Sequence, residues 1–376
     1  MKVPILKIPF DGEDAAMIGR ELTGMLLDGR LAMGPQVERF EGLFRDFVGS
    51  PYALGVSSGT AALEVVFRAL RERGLGGSVI VPANTFMASA LAPIAAGFKV
   101  ILADCDPVYF QLCPRDLAGK IGPGVAAVVL VHVGGFVSPD WAGIRDLAGR
   151  HGAVLIEDAA HAHGAEADGR RAGTLGLAGT FSFYPTKVLT TAEGGMVVTG
   201  DRDLHASMLA IRQHGQARPG SNVHETFGLN YRPSEIHALL GLAMMAKAGW
   251  ILAERRRAAA VYDRLMAASP VRAVMAPATG RPSYYKYMAL LPEGVERAAV
   301  KRRLREGFGI ALAGEVYSTP AHLQPLWARE PGFLGRGIGP LPNAERVAKY
   351  QICLPIYPGL TVEAQEYVVD SLNRVL

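Results

Sequence analysis

VLIEDAAHAHGAEADGRRAGTLGLAGTFSFYPTKVLTTAEGGMVV, residues 154–198, decides how the rest of the chain reads. Its first apolar run, Val154-Leu155-Ile156, ends on two carboxylates, Glu157 and Asp158. A Gly-rich loop follows, then a second short run, Thr180-Phe181-Ser182-Phe183-Tyr184, and a lone lysine, Lys187. A third run over 195–199 closes the stretch. Short β-type runs that end in polar residues predict buried strands whose carboxyl ends carry function. Strands of that kind aim Asp158 and Lys187 into one crevice although a loop separates them in sequence.

An acid and a lysine converging in a crevice suit pyridoxal phosphate (PLP). The lysine bonds the aldehyde, and the carboxylate keeps the pyridine nitrogen protonated so that the ring withdraws electrons. Taken singly, a lysine after a strand is an ordinary surface residue and an Asp at a strand end an ordinary cap. The pairing, not either residue, carries the inference.

Upstream, residues 53–63 read ALGVSSGTAAL: a short strand runs into Ser58, Gly59 and Thr60 and then into a helix with Leu63, Val66, Phe67 and Leu70 on one face. A helix N-terminus offers free N–H groups and a positive dipole end to a phosphate, and Gly59 lets the backbone approach. An ordinary N-cap reads the same way in isolation. The segment is no Walker loop, because no Gly-Lys-Ser/Thr follows. Residues 36–48 have helical apolar spacing, and 79–81, 100–102 and 125–133 read as further buried strands. Strands alternating with helices predict an α/β fold with a mostly parallel, doubly wound sheet. Downstream, 203–213 reads as a helix, and Ser234 as the N-cap of a long one. Strand signals recur at 284–291, and 297–306 is a basic helix.

A chain of 376 residues with 20% charged and 49% hydrophobic side chains is globular and long enough for two domains. We place the domain change where the long helix turns charged, giving domains 1–248 and 249–376. A net charge of +4 is too balanced to argue for nucleic acid, though it suits an anionic small substrate. Cys105, Cys113 and Cys353 lack metal-type spacing and cannot all pair, so a reduced, cytoplasmic protein with no metal is expected. The N-terminus has no signal-peptide core. Residues 239–252, the most apolar long stretch, are interrupted by Lys247 and two glycines, so no membrane span is expected.

EDAAHAHGA, GTFSFYPTK and EGGMVV together resemble the DegT/DnrJ/EryC1/StrS family, the sugar aminotransferases of PLP fold type I. The resemblance extends to G-P-x-V-x-x-F-E at 34–41, S-G-T-x-A-L at 58–63, G-x-N-x-R at 228–232, and the segments around 320–325 and 354–358. It implies a large domain on a mostly parallel sheet of the seven-stranded type, flanked by helices, with a smaller C-terminal α+β domain. Lys187 is then the PLP lysine and the proton carrier, and Asp158 the partner of the ring nitrogen. Ser58, Gly59, Thr60 and Ser182 would hold the phosphate, and Phe86 would stack on the ring. His161 stands where many members have glutamine, near the ring oxygen, and His163 reads as structural. Asn230 would reach the phosphate of a partner subunit, which makes the protein a homodimer with shared active sites. Pro233 and His237 depart from the family pattern at the start of the long helix.

The implied reaction moves an amino group from glutamate to a nucleotide-linked deoxysugar, of the kind made for antibiotics. Residues 228–236 lie closer to the form typical of C-4 enzymes, which points to a dTDP-4-keto-6-deoxyhexose. A C-3 keto sugar and a non-catalytic, PLP-binding regulator are the alternatives.

Overall fold

The computed structural model describes residues 1–218, 220–312 and 316–376. Its centre is a seven-stranded sheet in the order Tyr52–Val56, Gly195–Thr199, Ala178–Ser182, Val154–Asp158, Val125–Val131, Ser78–Pro82, Lys99–Ala103. Gly195–Thr199 runs antiparallel to both its neighbours, and the remaining six strands run one way. The expected α/β fold of type I, with a mostly parallel sheet, is what forms. All seven residues of Val125–Val131 are buried, as a strand covered on both faces requires.

Helices cover both faces. Gly59–Glu72 buries Leu63, Val66, Phe67 and Leu70, the apolar face anticipated from spacing. Pro35–Val48 packs Phe40 and Phe44 against Phe181 and Phe183. Its N-terminus is capped from afar: the Glu235 carboxylate accepts from the backbone N–H of Gly34, Gln36 and Val37 at 2.8–3.0 Å. A Cβ on Gly34 would lie 2.8 Å from that carboxylate, so a larger residue there would make the Glu235 side chain shift. Glu41 on the same helix accepts from the Gly55 N–H and from Arg212, which also donates to the Gly55 carbonyl.

Ser234 caps the long helix Glu235–Met266 as expected, its hydroxyl accepting from the His237 N–H. Position 249, where the sequence places the change of domain, lies inside this helix. From there the chain builds a smaller antiparallel sheet, Arg272–Ala273, Tyr287–Leu290 and Gln351–Leu354, backed by Arg297–Phe308 and Val362–Val375. By length and hydropathy the long helix is sufficient to cross a membrane, contrary to the expectation from 239–252. Half of its most apolar window is packed inside the protein. Lys247 pairs with Asp14 at 2.6 Å and with Asp11. Arg255, fully enclosed, donates to the carbonyls of Tyr284 and Ile356. A core helix passes the hydropathy test for the same reason that a span does.

The expected strand 125–133 stops at Val131, and Val133–Gly135 turns instead. Gly134 and Gly135 both have positive φ, and a Cβ on Gly135 would meet Ser283 Oγ at 2.4 Å. The Gly135 carbonyl accepts from the Ser283 N–H and the Gly134 carbonyl from the Lys286 N–H. This contact brings residues 283–286 to the carboxyl edge of the large sheet. Among the described residues Cys105, Cys113 and Cys353 form no disulfide.

Candidate active site

Register places the functional groups. Asp158 is level with Val131 on one side and Thr180 on the other, at the carboxyl ends of three parallel strands. Alternation along the strand sends Glu157 and Asp158 to opposite faces. Glu157 turns inward, where His132 Nε2 at 2.8 Å and the backbone N–H groups of Gly173, Leu175 and Gly176 at 2.6–2.8 Å meet its carboxylate. It holds the Gly-rich loop in place and has no face left for chemistry. Asp158 points the other way, into a cavity of about 570 Å³.

That cavity gathers Ser58, Gly59, Thr60, Phe86, Asp158, His161, Ser182 and Lys187. Eight of the nine site residues expected from sequence therefore share one space. Ser58 is the N-cap of Gly59–Glu72, its hydroxyl accepting from the Ala61 N–H at 3.1 Å. The N–H groups of the first helical turn have no partner within the helix, and the dipole adds positive potential. Closeness here depends on glycine: a Cβ on Gly59 would lie 2.7 Å from Ser182 Cβ, and one on Gly195 would lie 2.1 Å from the Ser58 carbonyl. The result is a cup lined by N–H groups and the Ser58, Thr60 and Ser182 hydroxyls. Its size and donors suit a phosphate.

Lys187 follows the strand Ala178–Ser182 in a turn closed by its N–H on the Tyr184 carbonyl. Its Nζ lies 4.8 Å from the centre of the Tyr285 ring. Burial pulls the Lys187 ammonium below the ordinary lysine value, and Tyr285 and Asp158 oppose that while Lys286 adds to it. A larger neutral fraction results, which is what a proton-accepting amine needs. Phe86 is 65% exposed, a ring held open at the cavity wall instead of packed in the core.

His161 is buried, stacked on Tyr285 with ring centres 4.2 Å apart. Burial, then Lys187 and Lys286, hold its pKa well below the usual histidine range, so the ring is neutral. Its Nδ1 accepts from the Gly134 N–H at 3.3 Å, leaving Nε2 to carry the proton. His163 does not line the cavity. It lies among Phe44, Phe181 and Phe183 with its pKa lowered by burial to about 3, a structural ring as the sequence suggested.

Asn230 is the exception. It is exposed on the surface, accepts from the Arg232 N–H at 3.3 Å, and is absent from the cavity wall of its own chain. Tyr317, which also lines the cavity, opens the 317–324 segment that the resemblance places near the nucleotide-sugar site, whereas several lining residues escaped the sequence reading: Ile5, Leu6, Glu193, Tyr285 and Lys286. Thr85 and Ser89, behind Asp158, escaped it too. Thr85 lies in the bend before the helix Ala88–Ala95 and Ser89 in its first turn, so no periodicity marks the pair. Tyr285 and Lys286 come from a distant segment, and no local pattern marks them.

The DegT/DnrJ/EryC1/StrS aminotransferase family matches residues 13–373. A pleiotropic regulatory protein of Geobacillus stearothermophilus is 33% identical, over 99% of this chain and 98% of its own. The dTDP-3-amino-3,4,6-trideoxy-alpha-D-glucose transaminase of Streptomyces venezuelae is 33% identical, over 99% of this chain and 96% of its own. The crystal structure of NtdA from Bacillus subtilis, with bound cofactor PMP, superposes with a TM-score of 0.89 at 27% identity, covering 100% of this chain and 85% of that one. The cup, the carboxylate and the desolvated lysine are the parts such a cofactor requires. The chain belongs to the DegT/DnrJ/EryC1/StrS aminotransferase family and is a PLP-dependent aminotransferase.

Proposed function

We propose that this protein transfers the amino group of glutamate to a keto carbon of a nucleotide-linked deoxysugar, working in the cytoplasm as a homodimer with shared active sites. The observation that carries the reading is the single cavity that joins an anion cup, Asp158 and Lys187. Bound PLP supplies an electron-withdrawing ring that stabilises the charge left when a C–H bond beside the amine breaks. Lys187 Nζ takes and returns the proton of that step. Asp158 would face the ring nitrogen and keep it charged, Phe86 would lie against the ring, and Ser58, Gly59, Thr60 and Ser182 would hold the phosphate. His161, neutral, donates from Nε2 toward the ring oxygen. Ile5, Leu6, Leu63 and Val316 give the cavity an apolar wall that suits a sugar lacking hydroxyls. Asn230 stands exposed beside Phe227 and Leu229, themselves 64% and 44% exposed, and a second subunit packed there would receive it in its own cup.

For the position aminated, residues 228–236 favour C-4 of a dTDP-4-keto-6-deoxyhexose. Tyr231 within that stretch acts at a distance. Its hydroxyl donates to Glu64 at 2.7 Å and accepts from Arg68 at 2.9 Å, on the helix whose N-terminus forms the cup. A C-3 reading has its own support in the 3-amino product named for the Streptomyces venezuelae relative. Offering the purified enzyme 3-keto and 4-keto dTDP-6-deoxyglucose with glutamate, and locating the new amine by NMR, separates the two. Amination at C-4 is expected. Amination at C-3 alone would overturn the position, and amination of neither would overturn the substrate class.

A further inference from the structure

Asp158 is gripped from behind. Its Oδ2 accepts from the Ser89 hydroxyl at 2.7 Å, and its Oδ1 from the Ala160 N–H at 3.2 Å. Ser89 in turn touches Thr85 Oγ1 at 2.7 Å, and the Tyr317 phenol lies beside Thr85. Ser89, Thr85 and Asp158 are all buried. A serine has one proton to give. If Ser89 gives it to the carboxylate, the Thr85–Ser89 contact must be made by the Thr85 proton. Both hydroxyl protons then run toward Asp158, in a direction fixed by proton count. Ser89 sits in the first turn of the helix Ala88–Ala95, which packs on the parallel strands, so its Oγ has a rigid mount.

We propose that Ser89, supported by Thr85, is a positioning residue that locks the Asp158 carboxylate in the orientation facing the cofactor's ring nitrogen. The inference rests on the assignment of Asp158 to that nitrogen. A carboxylate at a strand end has two side-chain torsions to fix, and the long Ala160 contact alone leaves the plane of the group loosely held. The short Ser89 bond fixes the second oxygen and leaves the remaining lone pairs aimed into the cavity. Buried hydroxyl chains polarise one another, so loss of the Ser89 hydroxyl removes the terminal bond and leaves Thr85 without its acceptor.

The test compares two cofactor probes on the full-length protein stripped of cofactor: PLP and its 1-deaza analogue, which lacks the ring nitrogen. In Ser89→Ala, affinity for PLP should fall about tenfold to a hundredfold, the size of one lost hydrogen bond to a charged group. Affinity for the deaza analogue should match that of the wild type. Ser89→Thr, which keeps the hydroxyl, should restore PLP affinity. In turnover the Ala variant should lose kcat with little change in KM for the sugar. Equal loss for both probes, or loss for neither, would overturn the proposal, because a packing role cannot sense the ring nitrogen. Should Ser89→Ala not fold, Ser89→Cys carries the same comparison. Asp158→Asn serves as the control. If it discriminates the probes and Ser89→Ala does not, only the Ser89 role fails. If neither variant discriminates, the assignment of Asp158 fails with it.

Discussion

Lys187→Ala and Lys187→Arg should each lower transamination at least about a thousandfold, while the protein still holds PLP without a covalent bond. The loss follows from the position of Nζ. It lies in the cavity, pulled below the ordinary lysine value by burial and set over Tyr285, so in the proposed reaction it would be the amine that bonds an aldehyde and carries the proton. Arginine keeps the charge and cannot give up its proton, so it does not substitute. Retained PLP binding follows because the cup at Ser58, Gly59, Thr60 and Ser182 is built without the lysine. Steady-state rates against wild type make the measurement. More than a few per cent of wild-type turnover would sink the assignment. The same variant tests the shared site: mixed with inactive Asn230→Ala subunits, it should regain activity, since one site of each heterodimer is intact. No recovery would contradict the dimer reading.

Asp158→Asn is expected to slow turnover roughly a hundredfold or more. The substitution preserves size and leaves an oxygen for the Ala160 N–H, so the strand end and the cavity keep their shape. Cofactor binding survives, weakened, through the phosphate cup. What disappears is the negative charge that the proposed arrangement would set beside the ring nitrogen, where it would matter most as charge develops on the ring. Near-normal kinetics would reduce Asp158 to the turn-forming role that its bond to Ala160, two residues on, also describes. Glu157 offers the contrast: four donors occupy it, and none of them belongs to the cavity.

Much of this was legible in residues 154–198, because strand alternation and strand-end chemistry are local properties. Asp158 and Lys187 could be paired from sequence, and so could the Ser58–Thr60 turn with the helix that follows it. What escaped depends on long-range packing. Tyr285 and Lys286 reach the cavity only because Gly134 and Gly135 dock the 283–286 segment, and nothing in YYKY announces that. The reversed strand Gly195–Thr199 carries the same apolar pattern as its parallel neighbours, so its direction could not be read. The first helix, Gly12–Asp28, buries only Asp14 and Met25 and so shows little apolar face to find. Its start lies in the Asp11–Asp14 capping box, a signal present in DGED. The stretch 239–252 reads as no span because of Lys247 and its glycines, although the whole helix passes the hydropathy test, since a helix buried in a core and one in lipid bury the same side chains.

The most direct test of the central claim is spectroscopic. Purified protein reconstituted with PLP should show a visible absorption band that bleaches on addition of glutamate and returns when a keto deoxysugar nucleotide is added. A band that glutamate leaves unchanged, with cofactor demonstrably bound, would contradict the account of Lys187 and Asp158 as the working pair of an aminotransferase.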